Sequence, residues 1–327
     1  MNSVVRGLQV RPYRRAGPAG LQPKASSRWE RYYDALVDGL DLCLSMTAPS
    51  WEHGVPNRAL EAKQRASQTR GSFIVRCLVS AAKWALVLDF THQTVCRILD
   101  NPHSVYVTPT GRFTIFDTTL SPFWSYTKGW LISVMVATLL VSAMEILSEL
   151  SSAVCVGVSF AGHGLGTTPD NCPPGIHSPW FATSVSNFWG YRWHQWTRLA
   201  FLNFAGKPLA AVTGGGRFGL VMGTFIASAI THDVGAMRIS KSFDGQGSLL
   251  FFTMMGVGVV LEYLWKTVTG FKVRGVGGWV WTMIWMLGFG SHYVDGGIGL
   301  AVVDLYKSDL IPQAARPSKI LFDFFGR

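Results

Sequence analysis

The chain has 327 residues, of which 48% are hydrophobic, 13% aromatic and only 15% charged, against roughly 25% charged in an average soluble protein. Mean hydropathy is positive and the net charge is +10. This is the profile of a multi-spanning membrane protein whose basic residues serve loops and lipid headgroups rather than nucleic acid, for which no reading motif is present. The five cysteines (Cys43, Cys77, Cys96, Cys155 and Cys172) are odd in number and form no CxxC, so neither a disulfide framework nor a zinc site is supported.

Residues 1–27 are basic and carry Pro and Gly, which reads as a flexible cytoplasmic tail. Met1 to Arg15 holds no apolar run long enough for a signal peptide, so insertion falls to a later membrane segment. Residues 28–46 set Tyr33, Leu36, Val37, Leu40 and Leu44 at helical spacing opposite Glu30, Arg31, Asp34, Asp38 and Asp41. That pattern predicts an amphipathic helix, lying in the interface or packed on the bundle. Residues 47–72 form a polar connection that becomes charged from Arg58 to Arg70.

The first spanning candidate, Phe73–Phe90, contains Arg76 and Lys83, which must snorkel or face protein. A loop over 100–128 with Pro102, Pro109 and Pro122 follows, and Trp124, Tyr126 and Trp130 form an aromatic interface belt. The strongest span runs from Trp130 to about Leu147, and either continues or is followed by a second apolar segment through Phe160. After a Gly/Pro-rich loop from Gly162 to Pro179 comes Phe188-Trp189-Gly190-Tyr191-Arg192-Trp193-His194-Gln195-Trp196, then a short amphipathic stretch over 197–211. Gly214-Gly215-Gly216 is a turn, not a phosphate loop, since no strand precedes it and no Lys-Ser/Thr follows. Further spans are Gly219–Ile230, Leu249–Trp265, Trp279–Phe289 and a last one around Gly296–Tyr306, before a basic C-terminal tail. The expected fold is all-α: a polytopic membrane bundle of about six segments, since a helix satisfies its own backbone in lipid. Residues 1–70 hold eleven Lys/Arg against six Asp/Glu, which favours a cytoplasmic N-terminus.

Two histidines stand out. His232 ends the apolar run Gly219–Thr231 and is followed by Asp233. An ionisable side chain inside an apolar span is costly and is a functional candidate by default. An imidazole there stays neutral and suits a general base; the blander alternative is a hydrogen-bonded structural histidine at the membrane edge. Asp233 points about 100° away from His232 on a helix, so it either positions the site or simply reaches water or a basic loop. His194, among aromatics, either donates to an oxyanion or acceptor, or belongs to an interfacial belt. Arg192, Arg198, Lys207 and Arg217 form a basic cluster that fits phosphate binding and the positive-inside rule equally. The eight histidines contain no pair within five positions, which argues against a di-iron oxidase, and no GxSxG is present for a serine hydrolase. No metal ligands are expected.

The stretch from Asn187 through Phe188-Trp189-Gly190-Tyr191-Arg192-Trp193-His194-Gln195 to Trp196, followed by an apolar span ending Ser228-Ala229-Ile230-Thr231-His232-Asp233, resembles the wax-synthase-domain branch of the membrane-bound O-acyltransferases. The fungal secondary-metabolite members are the most similar. Ser178-Pro179-Trp180-Phe181 and the earlier Arg28-Trp29-Glu30-Arg31 fit the same pattern. The resemblance covers about 28–310, between a tail over 1–27 and a C-terminal tail over 311–327. It implies transfer of an acyl group, acetyl above all, from acyl-CoA to the hydroxyl of an apolar alcohol such as a terpenoid. The enzyme would be multi-pass in the endoplasmic reticulum membrane, in contact with membrane lipid and without a permanently bound cofactor. By the same resemblance His232 is the base and His194 helps hold acceptor or oxyanion, the two facing one cavity. Trp189, Arg192, Trp193 and Asp233 would contact substrate or CoA. A long-chain wax-ester synthase and a non-catalytic multi-span relative are the alternatives. Two features depart from the pattern. Met46-Thr47-Ala48-Pro49-Ser50-Trp51 stands where relatives often have Arg-Gly-Ile-Gly-Trp, and a short basic tail stands where they have further spans. The expectation is a shortened member or an incomplete gene product.

Overall fold

The computed structural model describes residues 68–99, 106–107, 113–117, 119–160, 169, 172, 174–239, 246–295 and 316–318. The expected tail 1–27, the amphipathic helix 28–46, the motif at Met46–Trp51, the segment Gly296–Tyr306 and nearly all of the 311–327 tail lie outside them. So does most of the Gly162–Pro179 loop.

The regular elements among the described residues are helices, apart from one short antiparallel strand pair. In chain order they form α1 (Arg70–Leu99), β1 (Tyr106–Val107), β2 (Phe113–Thr114), α2 (Pro122–Phe160), α3 (Val185–Asn187), α4 (Arg198–Phe201), α5 (Lys207–Val212), α6 (Arg217–Ile239), α7 (Gln246–Thr269) and α8 (Gly275–Tyr293). Tyr106 pairs with Thr114 and Val107 with Phe113. This ribbon is the exception to the all-α expectation. Among the described residues, three helices are long and apolar enough to cross a membrane: Pro122–Gly157, Arg217–Ala236 and Gly247–Thr269. The α1 helix contains the expected span Phe73–Phe90 and carries Arg76, Lys83 and Asp89; it is not one of these three. The α8 helix contains Trp279–Phe289 and is 19 residues long.

The sequence placed Pro122 in a loop and left the end of the strong span open. The structure corrects the first point and resolves the second. A single 39-residue helix starts at Pro122 and runs unbroken to Phe160. Proline at the start of a helix lacks only an N–H that would have had no intrahelical partner, and its fixed φ already suits the helix.

The chain divides into two compact units. The first takes the described residues up to Lys83, those from Met144 to Gly175, and His194–Leu199. Here Phe73 and Cys77 of α1 pack with Ala153 and Val156 of α2 and with Cys172. Arg76 faces protein, as an arginine in an apolar segment should: its Nη1 lies 3.8 Å from Glu149 and its guanidinium lies over Phe73.

The second unit takes the described parts of Trp84–Ala143, Ile176–Trp193 and Ala200 onward. Its centre is an antiparallel trio, α6, α7 and α8, whose register can be read from side chains. Arg217 of α6 meets Tyr263 of α7, and further along His232 meets Phe252. Trp281 of α8 meets Glu262 of α7, and at the other end Tyr293 meets Phe251. Val185, Phe225, Ala229, Phe251, Phe252, Met255 and Trp285 form the buried core. Close backbone approach fixes the surroundings: a Cβ on Gly278 would run into the Thr183 carbonyl, and one on Gly223 would meet the backbone of Ala205 and Gly206. The turn into α6 uses Gly214 and Gly215 at φ +82° and +79°, the left-handed region that glycine reaches without strain. Beyond α8, Asp295 Oδ1 accepts from the Thr114 hydroxyl and the Ile115 N–H, both at 2.7 Å, tying the ribbon to the end of that helix.

Candidate active site

The histidine near the end of α6 sits in an aromatic nest in the second unit. Its own helix is apolar, and the hydroxyls of Thr224 and Thr231 are satisfied within it by donating to the carbonyls of Leu220 and Ala227. The imidazole of His232 stacks on Phe252, with centroids 4.8 Å apart and planes 13° apart. Tyr293 approaches edge-on at 6.2 Å and 88°, and its hydroxyl lies 3.3 Å from Nδ1 of His232. Two walls of the ring are therefore fixed, one from α7 and one from the end of α8.

The aromatic-rich segment reaches this nest through Trp189. Ser184 caps α3 by accepting from the Asn187 N–H at 2.8 Å. The chain then widens into a π turn over Phe188–Arg192. Trp189 meets Phe225, Phe251 and Phe252, with centroids 5.7, 6.0 and 5.7 Å away. It therefore touches the ring on which His232 stacks. Trp193 forms a layer behind it, stacked on Phe188 at 5.4 Å and edge-on to Trp189 at 6.0 Å. Arg192 closes the loop: Nε donates to Asn187 Oδ1, and Nη1 donates to the carbonyls of His177 and Ser178. The His177 N–H returns a bond to the Arg192 carbonyl at 2.8 Å. His194 belongs to the first unit, where its ring meets Trp196 at 5.2 Å.

Three residues of the second unit escaped the sequence reading. Phe252 and Tyr293 form the two walls of the His232 site. The third is Glu262, a buried carboxylate in α7. It accepts from the N–H groups of Val185 (2.6 Å) and Ser186 (2.9 Å), which have no partner inside the short α3 helix, and from Trp281 Nε1 at 3.1 Å. The carboxylate thereby fastens the entry to the aromatic segment onto α7 and α8. A lone carboxylate in an otherwise apolar 24-residue helix was the signal that could have exposed it. Among the described residues, no three His, Cys, Asp or Glu side chains come together as a metal site.

Chemically, this is an imidazole stacked on one aromatic ring with one ring nitrogen within reach of a phenol, an arrangement suited to moving a proton at the other nitrogen. Residues 172–254, which include both the aromatic segment and His232, match the membrane bound O-acyl transferase family. The chain resembles the wax-synthase-like branch of that family. Among curated proteins it is 29% identical over 155 residues to the O-Mevalon transferase macI of Penicillium terrestre, across 41% of this chain and 35% of that protein. It is 27% identical over 162 residues to the probable long-chain-alcohol O-fatty-acyltransferase 7 of Arabidopsis thaliana, across 46% and 45%. It is 28% identical over 127 residues to the acetyltransferase spyB of Aspergillus fumigatus, across 37% and 20%. The matched stretches thus span less than half the length of each of these relatives. No solved structure matches the chain.

Proposed function

We propose that the chain is an O-acyltransferase of the membrane, moving an acyl group from acyl-CoA to the hydroxyl of an apolar alcohol. The observation that carries this is the contact of Tyr293 with His232, the histidine lying inside the 172–254 stretch that matches the family. In the proposed reaction His232 removes the proton of the acceptor hydroxyl through Nε2 as the alcohol oxygen attacks the thioester carbonyl. The carbon–sulfur bond breaks, the CoA thiolate leaves and takes the proton back from the imidazolium, and the products are an ester and free CoA. No covalent acyl-enzyme is needed. Trp189, Trp193, Arg192 and Asp233 line or frame the substrate and CoA positions, and His194 holds the acceptor or the oxyanion. Acetyl is the proposed group, a choice supported by the acetyltransferase name of the Aspergillus fumigatus relative, and a terpenoid-like secondary metabolite is the proposed acceptor. The plant relative's name favours a second reading, esterification of a long-chain alcohol. Beyond the three apolar helices, the proposal includes about six membrane segments and residence in the endoplasmic reticulum.

The test is a membrane-fraction assay with radiolabelled acetyl-CoA and a long-chain acyl-CoA, offered with hydroxylated terpenoids and with fatty alcohols, comparing wild type with His232→Ala. Label entering an ester in the wild type and lost in the variant is the expected result. Ester formation by both proteins removes His232 from the mechanism. A folded wild type inactive with every pair favours a non-catalytic relative.

A further inference from the structure

The antiparallel trio has two unlike ends. At one, α6 begins, α7 ends and α8 begins, joined by the 270–274 connection. This end carries Arg217, Lys266, Lys272 and Arg274, all exposed. No Asp or Glu occurs in the sequence from Thr197 to His232 or from Tyr263 to Val294, and the neighbouring Glu262 is buried with its oxygens engaged. Helix electrostatics do not account for this charge. Lys266 at the end of α7 suits the helix dipole, but Arg217 at the start of α6 and Arg274 at the N-cap of α8 stand where the dipole opposes a cation. An external anion would satisfy all four.

The same end carries a collar of exposed aromatics. Phe218 is 57% exposed, Trp265 54%, Phe271 72% and Trp279 41%. Trp279 still donates through Nε1 to the Trp180 carbonyl at 2.9 Å, so its indole is held in place rather than loose. Trp265 and Trp279 join an apolar ring to a polar N–H, and such rings mixed with cations sit at headgroup level; Phe218 and Phe271 add apolar area beside them. The other end differs: the sequence 233–245 carries two basic residues, Arg238 and Lys241, and two acidic ones, Asp233 and Asp244.

We propose that the Arg217, Lys266, Lys272 and Arg274 end is a docking surface for anionic lipid headgroups of the cytoplasmic leaflet. Lys/Arg excess marks the cytoplasmic side of short loops, and each cation near such a surface adds to the attraction. A depth for the histidine follows. At 1.5 Å per residue, His232 lies about 22 Å along α6 from Arg217, hence in the far half of a hydrocarbon core about 30 Å thick. The surface stands independently of the reaction the site performs.

The test uses the full chain in sealed microsomes with the cytosolic face outward. Lys272→Cys is treated with a membrane-impermeant maleimide and read by peptide mass. Labelling in intact vesicles is expected. Labelling only after permeabilisation puts this end in the lumen and overturns the proposal, and so does no labelling in either state, since the connection would then be covered. In parallel, the full chain in nanodiscs of phosphatidylcholine, with or without about a third phosphatidylserine, is compared with the triple variant Lys266→Gln, Lys272→Gln, Arg274→Gln. An unfolding midpoint that rises by several degrees with phosphatidylserine in the wild type and not in the variant supports the lipid partner. Both proteins must share a midpoint in phosphatidylcholine alone. Equal responses to phosphatidylserine, or a variant that is already destabilised without it, assign these residues to the fold and overturn the proposal.

Discussion

The hydroxyl of Tyr293 and Nδ1 of His232 lie 3.3 Å apart, across the α6–α8 contact. The direction of that hydrogen bond decides which imidazole nitrogen is free to act. If Nδ1–H donates to the phenol oxygen, Nε2 keeps its lone pair and can take a proton; if the phenol donates, Nε2 carries the hydrogen and cannot. A base at Nε2 requires the first arrangement. Tyr293 is thus a positioning residue for the proposed reaction. Tyr293→Phe keeps the ring against Phe251 and Phe252 and removes only the oxygen. We expect kcat to fall about tenfold, the worth of one hydrogen bond of about 1.4 kcal/mol, with KM for both substrates nearly unchanged. An unchanged kcat would remove the phenol from the mechanism.

Phe252 joins the two parts of the site, stacking on His232 and meeting Trp189. It is also buried in the core with Phe251 and Met255. Phe252→Ala should cost about 3–5 kcal/mol of stability, the usual range for a buried phenyl group, and abolish the proposed transfer. Phe252→Leu restores most of the volume without a flat face for the imidazole. It should recover most of the thermal stability while leaving kcat low. Thermal unfolding in detergent measured beside activity separates the two effects, and full activity in the leucine variant would show that stacking is dispensable.

Glu262, itself buried, accepts three hydrogen bonds, from the N–H groups of Val185 and Ser186 and from Trp281 Nε1. Glu262→Ala leaves the N–H groups of Val185 and Ser186 and the Trp281 indole without that acceptor, so a loss of about 3 kcal/mol or more is expected. Glu262→Gln keeps one acceptor oxygen but turns an NH2 group toward a donor, and should fall between alanine and wild type. Limited proteolysis should cut first within 176–193, the segment whose entry this carboxylate holds. Cleavage that begins elsewhere at the wild-type rate would contradict this.

Much of the second unit could be read from composition and spacing. The apolar runs beginning at Gly219, Leu249 and Trp279 are helices, and His232 stands late in the first, where the pattern put it. The Trp189 stretch could be singled out because aromatics rarely crowd so densely around a charge. Phe252 and Tyr293 could not be read. They become neighbours of His232 only through the antiparallel register of three helices, which follows from close packing at residues such as Gly256 and Gly258 rather than from any local pattern. The π turn at Phe188–Arg192 was equally hidden, because its widened backbone depends on Trp189 finding a place in the core. Pro122 misled for another reason: proline reads as a break in the chain, although it is well suited to a helix start.

Arg192 offers the sharpest contrast between a residue that binds substrate and one that holds a loop. The sequence allowed phosphate recognition, but its Nε and Nη1 are engaged by Asn187, His177 and Ser178. A guanidinium serves three such acceptors in one plane, whereas an ammonium cannot reproduce that fork. We therefore expect Arg192→Lys to lower the unfolding midpoint by several degrees and to open 176–193 to trypsin, even though the charge is kept. If the arginine also contacts the CoA phosphates, KM for acyl-CoA will rise with ionic strength in the wild type and that salt dependence will shrink in Arg192→Gln. If it serves the loop alone, Arg192→Lys and Arg192→Gln will be destabilised alike, and the salt dependence of KM will match the wild type in both.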